Sequence, residues 1–180
     1  MNRLRRILSL AAGLALATSA AYANLLHNPG FENGDLAGWE TFGLGWRLGT
    51  GDDAYMGTHG LVCDILPEHE HENWRGVFQN VPVTAGQVYT ADVEIRTVNI
   101  HGSSSWLELQ WIDADGFILD QMQTLWVTID QPFATARFEQ VIAPPGAVTA
   151  SIRGVIFMET APSEGSPEFH VFDNFRFEAQ

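Results

Sequence analysis

The chain is 180 residues long with a formal net charge of −13, its 22 acidic side chains facing nine basic ones, all of them arginine. Such an acidic chain is a poor partner for nucleic acid or anionic membranes, and the lack of lysine excludes Schiff-base and lysine-base chemistry. Its single cysteine, Cys63, excludes an intrachain disulfide.

Residues 1–23 read as a signal peptide: Arg3, Arg5 and Arg6, then an apolar run from Ile7 to Ala17, then Ala21-Tyr22-Ala23 as a small-x-small cleavage site. The apolar run is too short to favour a membrane span. Residues 24–180 are then expected to form one secreted or periplasmic domain, with no membrane insertion after cleavage.

That domain opens on Asn24-Leu25-Leu26-His27-Asn28-Pro29-Gly30-Phe31-Glu32. Leu25 and Leu26 predict the start of a strand, and Asn28-Pro29-Gly30 a turn, because Pro fixes φ and Gly accepts positive φ. Phe31 returns to the core with Glu32 beside it, and a carboxylate there is costly unless paired or bound to a cation. Trp39 to Leu48 predicts one or two irregular aromatic strands, and Gly49 to Gly60 a loop. Leu61 to Leu66 predicts a strand with Leu61, Cys63 and Ile65 on one face, making Cys63 a buried, inert thiol.

Pro67 to Asn73 is a polar excursion. Strands follow at Trp74–Val83 and, after Thr84-Ala85-Gly86-Gln87, at Val88–Val98, where Tyr89, Ala91, Val93 and Ile95 alternate with Thr90, Asp92, Glu94 and Arg96. Ser103 to Asp113 alternates too, with Leu107, Leu109 and Trp111 on one face and Trp106, Glu108 and Gln110 on the other. Asp113-Ala114-Asp115-Gly116 marks a hairpin. Phe117–Asp120, Leu125–Asp130, Phe133–Ile142 and Ala147–Met158 continue the strands, and Phe169–Phe177 ends them. Eight to ten short strands with turn signals between them predict an all-β sandwich of two antiparallel sheets.

The opening run, with Gly38-Trp39 after it, and the closing Phe169-His170-Val171-Phe172-Asp173-Asn174-Phe175-Arg176-Phe177 resemble the two ends of carbohydrate-binding modules of the family 4, 9 and 22 type. The wording of Gln79 to Tyr89 and the turn Gly57-Thr58-His59-Gly60 resemble these modules as well. The resemblance spans residues 24–178. It implies a galactose-binding-like jelly roll, a polysaccharide or cell-surface glycan as partner, and a structural calcium tying the first loop to the last strand. Glu32 matches the motif glutamate and Asp173 the motif aspartate; carbonyls of the first turn or of Gly57–His59 would complete the shell.

A pyranose stacks its C–H face on an indole while its hydroxyls need fixed polar partners. Trp39 and Trp111 read as core. Trp46, Trp74, Trp106 and Trp126 are open to either fate, core packing or ligand contact. With Glu108, Gln110, Glu94 and Arg96 they are expected to line one concave sheet. Glu68-His69-Glu70-His71-Glu72 has the composition of a solvated loop and also of a transition-metal site through His69 and His71. No nucleophile elbow or Cys–His pairing is present, so the sequence points away from an enzyme. Two alternatives stay open: an envelope or adhesive scaffold that self-associates, and a small jelly-roll enzyme. Modules of this kind usually accompany a glycoside hydrolase, so a separate enzyme partner is also expected.

Overall fold

The structure, a computed structural model, describes residues 23–69 and 73–180. The expected signal segment, apart from Ala23, lies outside them, as does His71.

The strands are β1 (Glu40–Phe42), β2 (Trp46–Thr50), β3 (His59–Ile65), β4 (Trp74–Pro82), β5 (Val88–Val98), β6 (Ser103–Ile112), β7 (Ile118–Gln123), β8 (Gln131–Ile142), β9 (Thr149–Met158) and β10 (Glu168–Ala179). They form two antiparallel five-stranded sheets, ordered β1-β4-β9-β6-β7 and β2-β3-β10-β5-β8. Only the hairpins β2–β3 and β6–β7 join neighbours within a sheet; every other connection crosses between sheets. The sequence reading of an all-β, two-sheet sandwich holds.

Alternation explains the core. Leu61, Cys63 and Ile65 of β3, Ala91, Val93 and Ile95 of β5, Leu107, Leu109 and Trp111 of β6, and Ile152 and Ile156 of β9 all turn inward and are buried. Burial pushes the Cys63 thiol up to about 12, which keeps it unreactive.

Two strand expectations fail. Leu25 and Leu26 form no strand; residues 23–38 are turns and irregular chain. Pro29 has no amide to donate, and Asn28 and Phe31 hold φ at 47° and 59°, so no ladder propagates. The segment is fastened by Leu25 N donating to Phe177 O and by the Asn24 side chain, which donates to Phe175 O and accepts from Phe177 N. Residues 125–130 likewise form no full strand, only an isolated bridge between Val127 and Ser105.

A bulge in β10 between Asp173 and Arg176, with Asn174 at φ 50°, turns both Phe172 and Phe175 into the core. It also frees Phe175 N to donate to Pro29 O at 3.0 Å. The first turn and the last strand are thereby locked together.

Candidate functional site

The outer face of the β1-β4-β9-β6-β7 sheet follows from its register, since residues paired across antiparallel strands share a face. Trp74 of β4 sits opposite Phe157 of β9, Val155 of β9 opposite Trp106 of β6, and Arg153 of β9 opposite Glu108 of β6. Ser151 pairs with Gln110, and β7 adds Gln121 and Gln123 beside Gln110 and Glu108.

Aromatic rings cover one half of this face. Trp74 meets Trp106 edge-on, with centroids 6.0 Å apart and planes at 89°, and lies 4.7 Å from Phe157. Trp126 is carried here by the chain leaving β7, which pairs Val127 with Ser105, and its ring stacks on Trp106 at 4.5 Å with 10° between planes. Trp106 is fully buried beneath, while Trp74 and Trp126 remain 51% and 48% exposed. Two broad, rigid indole surfaces therefore face solvent on a buried third. A recess of about 240 Å³ lined by His101, Ser104, Trp126, Thr128, Phe157 and Glu159 closes one end.

The other half is polar. The buried Glu108 carboxylate accepts from Gln110 Nε2 at 2.9 Å, from Gln121 Nε2 and Gln123 Nε2 at 3.0 Å each, and from Arg153 Nη1 at 3.3 Å. The Arg153 guanidinium also lies over the rings of Phe42 and Phe78, 5.4 and 5.0 Å from their centroids. Gly76 makes this possible, because a Cβ there would lie 2.3 Å from the Phe42 ring. Gln123 Oε1 accepts from Trp126 Nε1 at 3.3 Å, joining the polar half to the aromatic half.

Of the predicted ligand residues, Trp74, Trp106, Trp126, Glu108 and Gln110 come together on this face. Glu94 and Arg96 do not. They lie on β5 in the opposite sheet, on its outer side, with the core between. There Glu94 accepts from Thr135 Oγ1 at 2.8 Å, and Arg96 donates to Asp53 Oδ1 at 2.9 Å. The expectation of one sheet carrying both groups is corrected by the pairing of β5 with β10 and β8. Trp46 is corrected too: its Nε1 donates to Phe42 O at 3.0 Å and its half-buried ring packs toward Phe172 against the core. Arg153, Phe157, Gln121 and Gln123 belong to the site and went unpredicted. The alternation Ser151-Arg153-Val155-Phe157 carried the signal for the first two.

His69 ends a short 3₁₀ turn, and its Nδ1 accepts from Leu66 N at 3.3 Å. Among the described residues no group of three His, Cys, Asp or Glu side chains is placed to hold a metal ion.

Glu32 and Asp173 meet across a second recess of about 420 Å³ that Asn28, Gly30, Met56 and Gly57 also line. Glu32 accepts from Thr58 N and His59 N, and these amides, His59's foremost, hold its carboxyl below the usual value. Asp173 accepts from Tyr55 N at 2.7 Å, Met56 N at 3.2 Å and Asn174 N at 2.6 Å. Burial nonetheless pushes it up to about 6, with the Glu32 charge adding to the rise.

No family profile matches the sequence, and no curated protein does. Solved structures do match. The carbohydrate-binding module TmCBM61, solved with β-1,4-galactotriose, aligns at TM-score 0.64 and 16% identity over 88% of this chain and 99% of that one. The C-terminal family 22 module of Clostridium thermocellum Xyn10B aligns at TM-score 0.61 and 15% identity over 87% and 96%. The CBM22-1 xylan-binding domain of Paenibacillus barcinonensis Xyn10C aligns at 0.57 and 20% over 90% and 97%. The chain has the β-sandwich fold of these carbohydrate-binding modules.

Proposed function

We propose that the protein is an exported, non-catalytic glycan-binding domain whose ligand lies along the outer face of the β1-β4-β9-β6-β7 sheet. The observation that carries this reading is the pair of half-exposed indoles, Trp74 and Trp126, set on buried Trp106 beside a fixed polar strip. Indole faces take the apolar C–H side of pyranose rings, and the exposed amides of Gln121 and Gln123 beside them suit ring hydroxyls. The modules of the same fold solved with galactotriose or named for xylan support the choice of ligand class. The test is depletion of residues 24–180 by insoluble xylan and β-1,4-galactan. Trp126→Ala and Trp74→Ala should each escape into the supernatant; retention equal to wild type would remove this face from the account.

The same reading includes a structural calcium between Glu32 and Asp173. The fit lies in a desolvated carboxylate facing a second one, where a hard cation would relieve both the burial and the mutual repulsion. Glu32 and Asp173 would hold the ion, which would pin the first turn to β10.

A second reading rests on a different observation. β7 is an edge strand, and at its start Phe117, Ile118 and Leu119 are 70%, 53% and 41% exposed. An envelope or adhesive subunit would bury them in self-association. Concentration-dependent sedimentation would support it, and a monomer at every concentration would contradict it.

A further inference from the structure

Glu108 fills a place on the candidate face that ligand contact does not explain. It is 5% exposed, and four donors already converge on its two oxygens, Gln110 and Arg153 on Oε1 and Gln121 and Gln123 on Oε2. A carboxylate has about four lone-pair sites, so no acceptor capacity is left for a sugar hydroxyl.

Its chemistry acts one residue further out. An ionised carboxylate can only accept, so Gln123 must turn its amide nitrogen toward Glu108. The amide oxygen then faces the opposite way, where it accepts from Trp126 Nε1 at 3.3 Å. Apart from that bond, the segment around Trp126 is fastened to β6 by backbone bonds of Val127 with Ser105 and by Thr124, which bonds to Leu107. Trp126 itself lies on no named strand.

We infer that Glu108 is the positioning residue of this platform: through the amide orientation of Gln123 it holds the Trp126 indole flat on Trp106. This rests on the reading of the face as a glycan site, but the geometry it asserts is independent of any ligand. Replacing the carboxylate by its isosteric amide puts a donor into the cluster. Gln123 then flips to satisfy it, and two N–H groups face each other at Trp126.

The experiment reads the exciton couplet of stacked indoles by far-ultraviolet circular dichroism, alongside titrations with soluble xylan and β-1,4-galactan. Trp126→Ala assigns the Trp126–Trp106 component of the couplet by removing it, leaving only that of the edge-on Trp74–Trp106 pair. Glu108→Gln and the surface variant Gln123→Ala should both lose most of it, and affinity should fall about tenfold, the scale of one lost hydrogen bond. The exchange Glu108→Gln with Gln123→Glu returns an acceptor to Trp126 Nε1 and should restore the couplet. Should Glu108→Gln fail to fold, Gln123→Ala still decides, because its side chain is at the surface. A full couplet in Gln123→Ala, or in a folded Glu108→Gln, overturns the inference. Normal couplet behaviour in a protein that binds neither polysaccharide keeps the positioning role and removes the glycan reading instead.

Discussion

The indole of Trp126 lies on that of Trp106 with centroids 4.5 Å apart and planes within 10°. One ring is fully buried and the other half-exposed, so the pair divides its labour between core and surface. Truncating the two should separate those roles. Trp106→Ala opens a large hole under the sheet face and should cost roughly 3–5 kcal/mol of stability. Trp126→Ala should cost about 1 kcal/mol or less, as an exposed side chain does. Denaturant unfolding of both variants checks the ordering.

Calcium gives a second expectation. At neutral pH, chelation should lower the melting temperature of the wild type, and Glu32→Ala and Asp173→Asn should no longer respond to calcium or chelator. An unchanged melting temperature in chelator would sink the proposed ion.

A polar cluster at the end of the core where β6 faces β10 sets the acid limit. Ser103 Oγ donates to the Glu168 carboxylate, so its 2.7 Å contact with His170 has Nε2–H donating to the hydroxyl. His170 is fully buried, and burial first, then the Arg75 charge, push its pKa down to about 3. The unfolded chain, with an ordinary histidine, therefore binds more protons between pH 6.5 and 3. The contribution of His170 to stability should fall as pH drops through that window, by roughly 5 kcal/mol at most, and Asp173, whose raised pKa acts in the opposite sense, offsets part of it. His170→Gln should flatten this part of the profile, as thermal melts from pH 7 to pH 4 would reveal.

The Asn24 side chain bridges Phe175 O and Phe177 N while also accepting from Leu26 N. Asn24→Ala should therefore cost about 2 kcal/mol by leaving β10 groups without their partners. It should also raise hydrogen exchange at Phe177 N while sparing β6 and β9.

Much of this was legible in the sequence, and the part that was not has a physical cause. Period-two alternation placed Trp106, Glu108 and Gln110 on one face of β6 and Asp92, Glu94 and Arg96 on one face of β5. Alternation says which residues share a face, but not which strands share a sheet. Long-range pairing decides that, and it put β5 and β6 in opposite layers. Glu108 and Gln110 look like a solvent face in sequence, yet both are buried, because β7 and its glutamines fold over them. Leu25-Leu26 has the apolarity of a strand, but the backbone demands of Asn28-Pro29-Gly30-Phe31 override it. The meeting of Glu32 and Asp173 was anticipated from the motifs at the two chain ends, and the β10 bulge supplies the reason they meet.

The most direct test of the central claim is a tryptophan-fluorescence titration of residues 24–180 with soluble xylan and β-1,4-galactan, run beside Trp126→Ala, Trp74→Ala and Glu94→Gln. The account predicts a saturable change with at least one polysaccharide, lost or weakened at least tenfold in the two tryptophan variants, the scale of a stacking contact. Glu94→Gln, in the opposite sheet, should behave as wild type. No saturable response to either polysaccharide, or a response that only Glu94→Gln abolishes, would contradict it.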